Sequence, residues 1–215
     1  MEILLTDNEV RVLGCLMEKE MATPDYYPLS LNSLLNACNQ KSNRHPVVSF
    51  DEETVSQALQ ELMERKLVRQ SNVSRVPKYE QIFSNNLNLI SREEAIICIL
   101  LVRGPQTVGE IRGRTDRLYS FANLEEVQET ISSLEDNGLV TKLPRQPGRK
   151  ECRYSHLLSG PQDIHDENSS NPESNTVIVR KKDDRLSELQ QEVDKLRQEL
   201  HDLQQEFAAF KSQFE

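Results

Sequence analysis

The chain has 215 residues, of which 36% are hydrophobic and 28% charged, with seven Gly and no Trp. That apolar fraction is low for one compact globule, and the shortage of Gly argues against a turn-rich all-β fold. The net charge of −9 is concentrated at the C-terminal end: residues 1–90 carry −3, residues 91–160 carry 0 and residues 161–215 carry −6, so DNA is not excluded as a partner, yet no segment has the strong basicity that advertises it.

In chain order, Thr6-Asp7-Asn8-Glu9 reads as a capping box opening a first helix, with Val10, Leu13, Leu16 and Met17 on one face. Ser30 caps a second helix that turns Leu31, Leu34 and Leu35 inward. Ser49-Phe50-Asp51-Glu52 reads as another capping box, opening a third helix with Val55, Leu59, Leu62 and Met63. Leu67-Val68-Arg69 then reads as a strand, Gln70–Pro77 as a wing and Lys78–Phe83 as the return strand.

The same order recurs. Ser91-Arg92-Glu93-Glu94 caps a helix with Ala95, Ile96, Ile99 and Leu100, and Thr107-Val108-Gly109-Glu110 caps a short one. A third helix carries Val127, Ile131 and Leu134; Leu139-Val140-Thr141 is a strand, Pro144–Lys150 a turn and Cys152–Leu157 the return. The third helices align at a constant offset of 72, Val55 with Val127, Leu59 with Ile131 and Leu62 with Leu134. The expected fold is α+β, mainly α with small β-hairpins: two tandem winged helix-turn-helix domains, at 1–86 and 87–160, each with a small three-helix core.

Residues 161–182 are polar and read as a linker. Residues 183–215 carry a heptad pattern: Leu186, Leu189, Val193, Leu196, Leu200, Leu203, Phe207 and Phe210 at alternating spacings of three and four. In a parallel pair Glu192 would face Arg197 and Glu206 would face Lys211, so the charges permit a homodimer through a coiled coil. The alternative is an amphipathic helix folded back on its own domains, and the late Phe residues also suit a larger assembly or a partner protein.

Cys15, Cys38, Cys98 and Cys152 show no C-x-x-C pairing, and the four His are scattered. Reduced buried thiols are the expectation, with no metal and no cofactor. No basic-then-apolar leader opens the chain, and the longest apolar run, Ala95–Val102, is too short to span a bilayer. A cytoplasmic protein with no membrane association is expected. Neither a nucleophile elbow nor a Walker loop is present, so no enzyme activity is expected.

From residue 9 onward the chain becomes distinctive. The segments EKE (18–20), TPDYYPLSLN (23–32) and CNQKSNRHPV (38–47), supported by LLVRGPQTVGEIRGR (100–114), resemble the bacterial YceH family of uncharacterised proteins. The resemblance covers about residues 5–160 and implies tandem winged helices. It implies no particular chemistry.

Two regions are candidate nucleic-acid contacts. The first is the loop Asn39, Gln40, Lys41, Ser42, Asn43, Arg44, His45 and Pro46. Its amides can read base edges and its cations can pair with phosphate or guanine; equally, it can be a rigid loop that satisfies its own backbone. The second is basic: Arg112, Arg114 and Arg117 around the short helix, with Arg145, Arg149, Lys150 and Arg153 on the second wing. Against groove reading, the third helix of repeat two carries Glu125, Glu126, Glu129, Glu135 and Asp136 without a cation. The competing functions are a DNA-associated regulatory protein and a self-associating protein–protein adaptor.

Overall fold

A computed structural model describes residues 4–71, 76–145 and 151–160. The linker 161–182, the heptad residues Leu186 to Phe210, and the wing residues Arg149 and Lys150 lie outside the described residues.

The first repeat comprises α1 (Asp7–Ala22), the two-residue strand β1 (Leu29–Ser30), α2 (Leu31–Cys38), α3 (Glu52–Glu64), β2 (Val68–Ser71), β3 (Lys78–Gln81) and a short α4 (Phe83–Asn86). The second comprises α5 (Ser91–Arg103), α6 (Val108–Thr115), α7 (Leu124–Asp136), β4 (Val140–Lys142) and β5 (Tyr154–His156). The fold is thus mainly helical with small antiparallel sheets, one of three strands ordered β1-β3-β2 and one hairpin of β4 and β5. An isolated bridge between Gln106 and Tyr154 occupies in repeat two the place that β1 takes in repeat one.

Local chemistry explains the boundaries. Thr6 and Glu9 close a full capping box on α1, and Thr107 and Glu110 close one on α6. The N-cap of α3 is Asp51, whose side chain accepts from Thr54 N–H at 2.9 Å; Ser49 is not the cap. Asp51 and Asn123 therefore start α3 and α7 at the same offset of 72. For α5 the capping residue is Ile90, with Ser91 already inside the helix, and the Glu93 carboxylate accepts from Ile90 N–H. Phe83 does not extend β3 but opens α4, fully buried.

The ends of α3 and α7 match too. Lys66 and Gly138 both take the left-handed conformation, with φ 58° and 69°. The next residue then closes the turn: Leu67 N–H donates to Leu62 O and Leu139 N–H to Leu134 O, both at 2.9 Å. The reversal aims β2 and β4 back along their helices.

The two repeats meet through α1 and α5, the most extensive helix–helix contact among the described residues. Along Ala95–Val102 helix α5 is apolar around its whole circumference and fully buried, as expected of a stretch enclosed on every side. Ile96, Ile97, Cys98, Leu100 and Leu101 join side chains of α1, α3 and α7 in one continuous core. Gly14 permits the approach: a Cβ there would lie 2.8 Å from Leu101 Cβ and 2.9 Å from Val102 Cγ1. Replacing Gly14 by Val should cost about 2 kcal/mol through overpacking, more than the helix gains by losing a glycine. Urea unfolding of the full chain checks this, and an unchanged midpoint would place the two helices farther apart than described. No described helix is long and apolar enough to cross a membrane.

Candidate functional site

The loop after α2 is built inward as much as outward. The Asn39 amide clasps the backbone of Phe50, donating to its carbonyl at 2.8 Å and accepting from its N–H at 2.7 Å. Arg44 is buried. Its guanidinium forks onto Glu18 of α1 at 3.0 and 2.6 Å, while its Nε donates to the Ala37 carbonyl at 3.1 Å. Such bidentate, charge-assisted bonding fixes both partners. His45 N–H donates to the carbonyl of Val102 in α5 at 2.9 Å, so the loop ties the first repeat to the second. Of the loop's proposed contacts, Asn39 and Arg44 spend their side chains inside the protein. Lys41 and Asn43 are exposed and Gln40 is half-buried.

Asn43 sits at φ 60°, and its side-chain oxygen accepts a hydrogen bond from Arg103 in the last turn of α5. The Nε of Arg103 has no hydrogen-bond partner among the described residues. Burial lowers the proton affinity of this guanidinium, and the nearby positive charge of Arg114 lowers it further. Arg103 thus lies between the loop and α6.

On α6, Glu110 gathers the next cations. One carboxylate oxygen faces Arg114 at 3.4 Å and Arg153 at 3.6 Å. The other accepts from Thr107 N–H at 2.9 Å. Arg153 also donates to the Pro105 carbonyl at 2.9 Å, securing the strand return of the second hairpin to the start of α6. A series therefore runs Asn43, Arg103, Arg114, Glu110, Arg153, bringing together side chains that are far apart in sequence. Arg112 is separate, donating to the Ala122 carbonyl at 3.1 Å, while Arg117 and Arg145 are exposed.

Arg103 is the residue that reading by type missed. In the last turn of a helix a cation is expected from the dipole alone. The usable signal was its position just before Gly104-Pro105, a break that must turn the chain into the Arg-bearing α6.

On the opposite side of the charge balance, Glu125 and Glu129 of α7 and Glu52 and Glu53 of α3 are exposed. All four cysteines are unpaired, and Cys15, Cys38 and Cys98 are buried. Among the described residues no group of three or more His, Cys, Asp or Glu is placed to hold a metal.

Fold and site together define a small α+β protein with a duplicated helix–hairpin unit and a cluster of arginines where the halves meet. The profile of a family described as "Protein of unknown function, DUF480" matches residues 5–149. The UPF0502 protein of Solibacter usitatus is 50% identical over 208 residues, 96% of each chain. That of Geobacter sulfurreducens is 50% identical over 219 aligned positions and covers both chains fully. The UPF0502 protein of Aeromonas hydrophila is 45% identical, covering 91% of this chain and 93% of its own. The chain belongs to this bacterial DUF480/UPF0502 family.

Proposed function

We propose that the protein is a non-enzymatic, tandem winged-helix binding protein that docks the phosphate backbone of DNA on its arginine cluster. The observation that carries the reading is the link through Arg103, which bonds the exposed loop residue Asn43 and lies near Arg114, whose partner Glu110 also meets Arg153. Like charges held close, with one shared carboxylate, leave a surplus positive field that an anion relieves. Arg112, Arg117 and Arg145 add further exposed cations to the same repeat. In this reading the acidic α3 and α7 face away from phosphate, and contacts come from the loop, α6 and the second wing. The heptad at 183–215 would pair two chains and double the number of weak surfaces.

The experiment is a fluorescence-anisotropy titration of mixed-sequence duplex DNA at two salt concentrations. About four neutralised phosphates predict a log–log salt slope of about −3.6. The doubly reversed chain Arg103→Glu/Arg114→Glu should bind about a hundredfold more weakly, each lost phosphate contact accounting for part. Absence of salt-dependent binding at protein concentrations on the order of tens of micromolar would end the proposal.

The exposed acidic faces of α3 and α7 favour a second reading, an adaptor for a basic protein partner. It gains support if co-purification from the native cell recovers a protein that survives nuclease treatment.

A further inference from the structure

Two arginines beside the loop after α2 are partnered in different ways. All three nitrogens of the Arg44 guanidinium are filled: the Nη atoms fork onto Glu18 and the Nε donates to the Ala37 carbonyl. Arg103, in the last turn of α5, is half filled. Its Nη2 donates to the side-chain oxygen of Asn43, and its Nε has no hydrogen-bond partner among the described residues. These two groups point the same way from one edge of the planar guanidinium, the edge that grips two oxygens of one carboxylate or phosphate. A single neutral amide oxygen stands where two anionic oxygens would fit.

The charge is unmatched as well. Glu18 is taken by Arg44 and Lys19, and Glu110 by Arg114 and Arg153, while no ion pair among the described residues includes Arg103. Burial and the positive charge of Arg114 both weigh against its cation. A partly buried guanidinium so placed gains from an anion that reaches it.

Both sides of the contact are held in place. The Arg103 carbonyl accepts from Gln106 Nε2 at 3.0 Å, and Gly104 ends α5 at φ 67° with its N–H on the Leu100 carbonyl. Asn43 is followed by two pinned residues: Arg44 in its Glu18 fork, and His45, whose N–H bonds the Val102 carbonyl at 2.9 Å. Asn43 itself is exposed, holds a left-handed φ of 60° that Asn tolerates, and meets Arg103 at the surface. One exposed side chain can swing away while the loop around it stays.

We propose that this edge of Arg103 is a seat for a phosphate oxyanion and that Asn43 is its built-in rival: an incoming phosphate takes Nε and Nη2 together and expels the Asn43 carboxamide to solvent. The proposal rests on the reading of the arginine cluster as a phosphate-docking surface, and it names the atoms that make the contact. A DNA backbone and a free phosphate ion present the same chemistry to the seat. Because Asn43 must leave first, the apparent affinity is set below that of an open arginine.

The test follows the Arg103 Nε–H and Asn43 side-chain amide signals of the isotope-labelled full chain by NMR, with Arg103→Lys identifying the first signal by its loss. Inorganic phosphate is titrated against chloride at constant ionic strength, and mixed-sequence duplex DNA is titrated separately. Both signals moving together and saturating with either probe is the expected result, and the probe that moves them identifies the source. If neither probe moves them, the proposal fails. DNA binding seen by anisotropy without movement of this pair overturns the seat and leaves the wider docking reading in place. Movement with phosphate alone keeps the seat and removes DNA as its source. Asn43→Gly keeps the left-handed backbone without strain and should tighten binding of the probe about fivefold, because the rival is gone. Equal or weaker binding overturns the role of Asn43 as rival. Arg103→Lys keeps the charge but lacks the paired donors and should bind about tenfold more weakly; unchanged binding in a folded chain overturns the seat.

Discussion

Replacing Arg44 by Ala is expected to lower the unfolding free energy by about 3–5 kcal/mol, the cost of breaking a buried ion pair from one side. The Arg44 side chain is 0% exposed and that of Glu18 13%. Removing the guanidinium leaves a carboxylate in a desolvated site with Lys19 as its remaining ion-pair partner among the described residues, and strips a donor from the Ala37 carbonyl. Urea unfolding at pH 7 measures the loss. Replacing both partners, by Arg44→Met with Glu18→Gln, should restore part of it, because no lone charge remains. A loss below about 1 kcal/mol would mean a solvated pair of the surface kind.

The acid limb of the same pair has a definite sign. Burial would raise the Glu18 carboxyl, but the hydrogen bond and charge of Arg44 hold it below the usual range. Its contribution is therefore complete above the unfolded carboxyl value of about 4.3 and is lost as pH falls through the lower folded value. The Arg44→Ala chain should lack this step in its stability profile.

The helices and their repeat were legible because they are written locally. Apolar spacing set the faces, and one polar residue at each start set the register. The offset of 72 reached further than side-chain type, extending to Asp51 with Asn123 and to the left-handed pair Lys66 and Gly138. Ser49 misled because two capping residues stand two apart, and it is Asp51 whose side chain accepts from Thr54 N–H.

The loop was harder to read. A run of Asn, Gln, Lys and Arg has the same composition whether it faces a ligand or its own backbone. The partners that decide are remote: Arg44 meets Glu18 across 26 positions and Asn43 meets Arg103 across 60. Nothing in a single sequence links those pairs. The enclosure of α5, by contrast, was visible in Ala95–Val102, an apolar run without a polar face.

His156 should make the fold acid-sensitive by about 3 kcal/mol between pH 7 and pH 4. It stands in β5 opposite Val140, 3% exposed, with its Nδ1 lacking a hydrogen-bond partner among the described residues. Burial pushes its imidazole down to about 4, and the opposing pull of Asp7 at the start of α1 is the weaker effect. A histidine depressed in the fold stays neutral there while the unfolded chain takes up a proton near pH 6.5. The stabilisation is whole above that value and drains away as pH falls to the folded value. Its position explains why the loss is global: Leu5 N–H bonds to Leu158 O at 2.6 Å just beyond β5, so the strand anchors the entry to α1. Urea midpoints taken from pH 7 to pH 4 on the full chain and on His156→Leu separate this residue from Glu18. The wild-type chain should show the larger fall beginning near pH 6.5, and the variant should keep only the lower carboxylate limb. Parallel curves for the two chains would mean that His156 is charged and solvated in the folded protein.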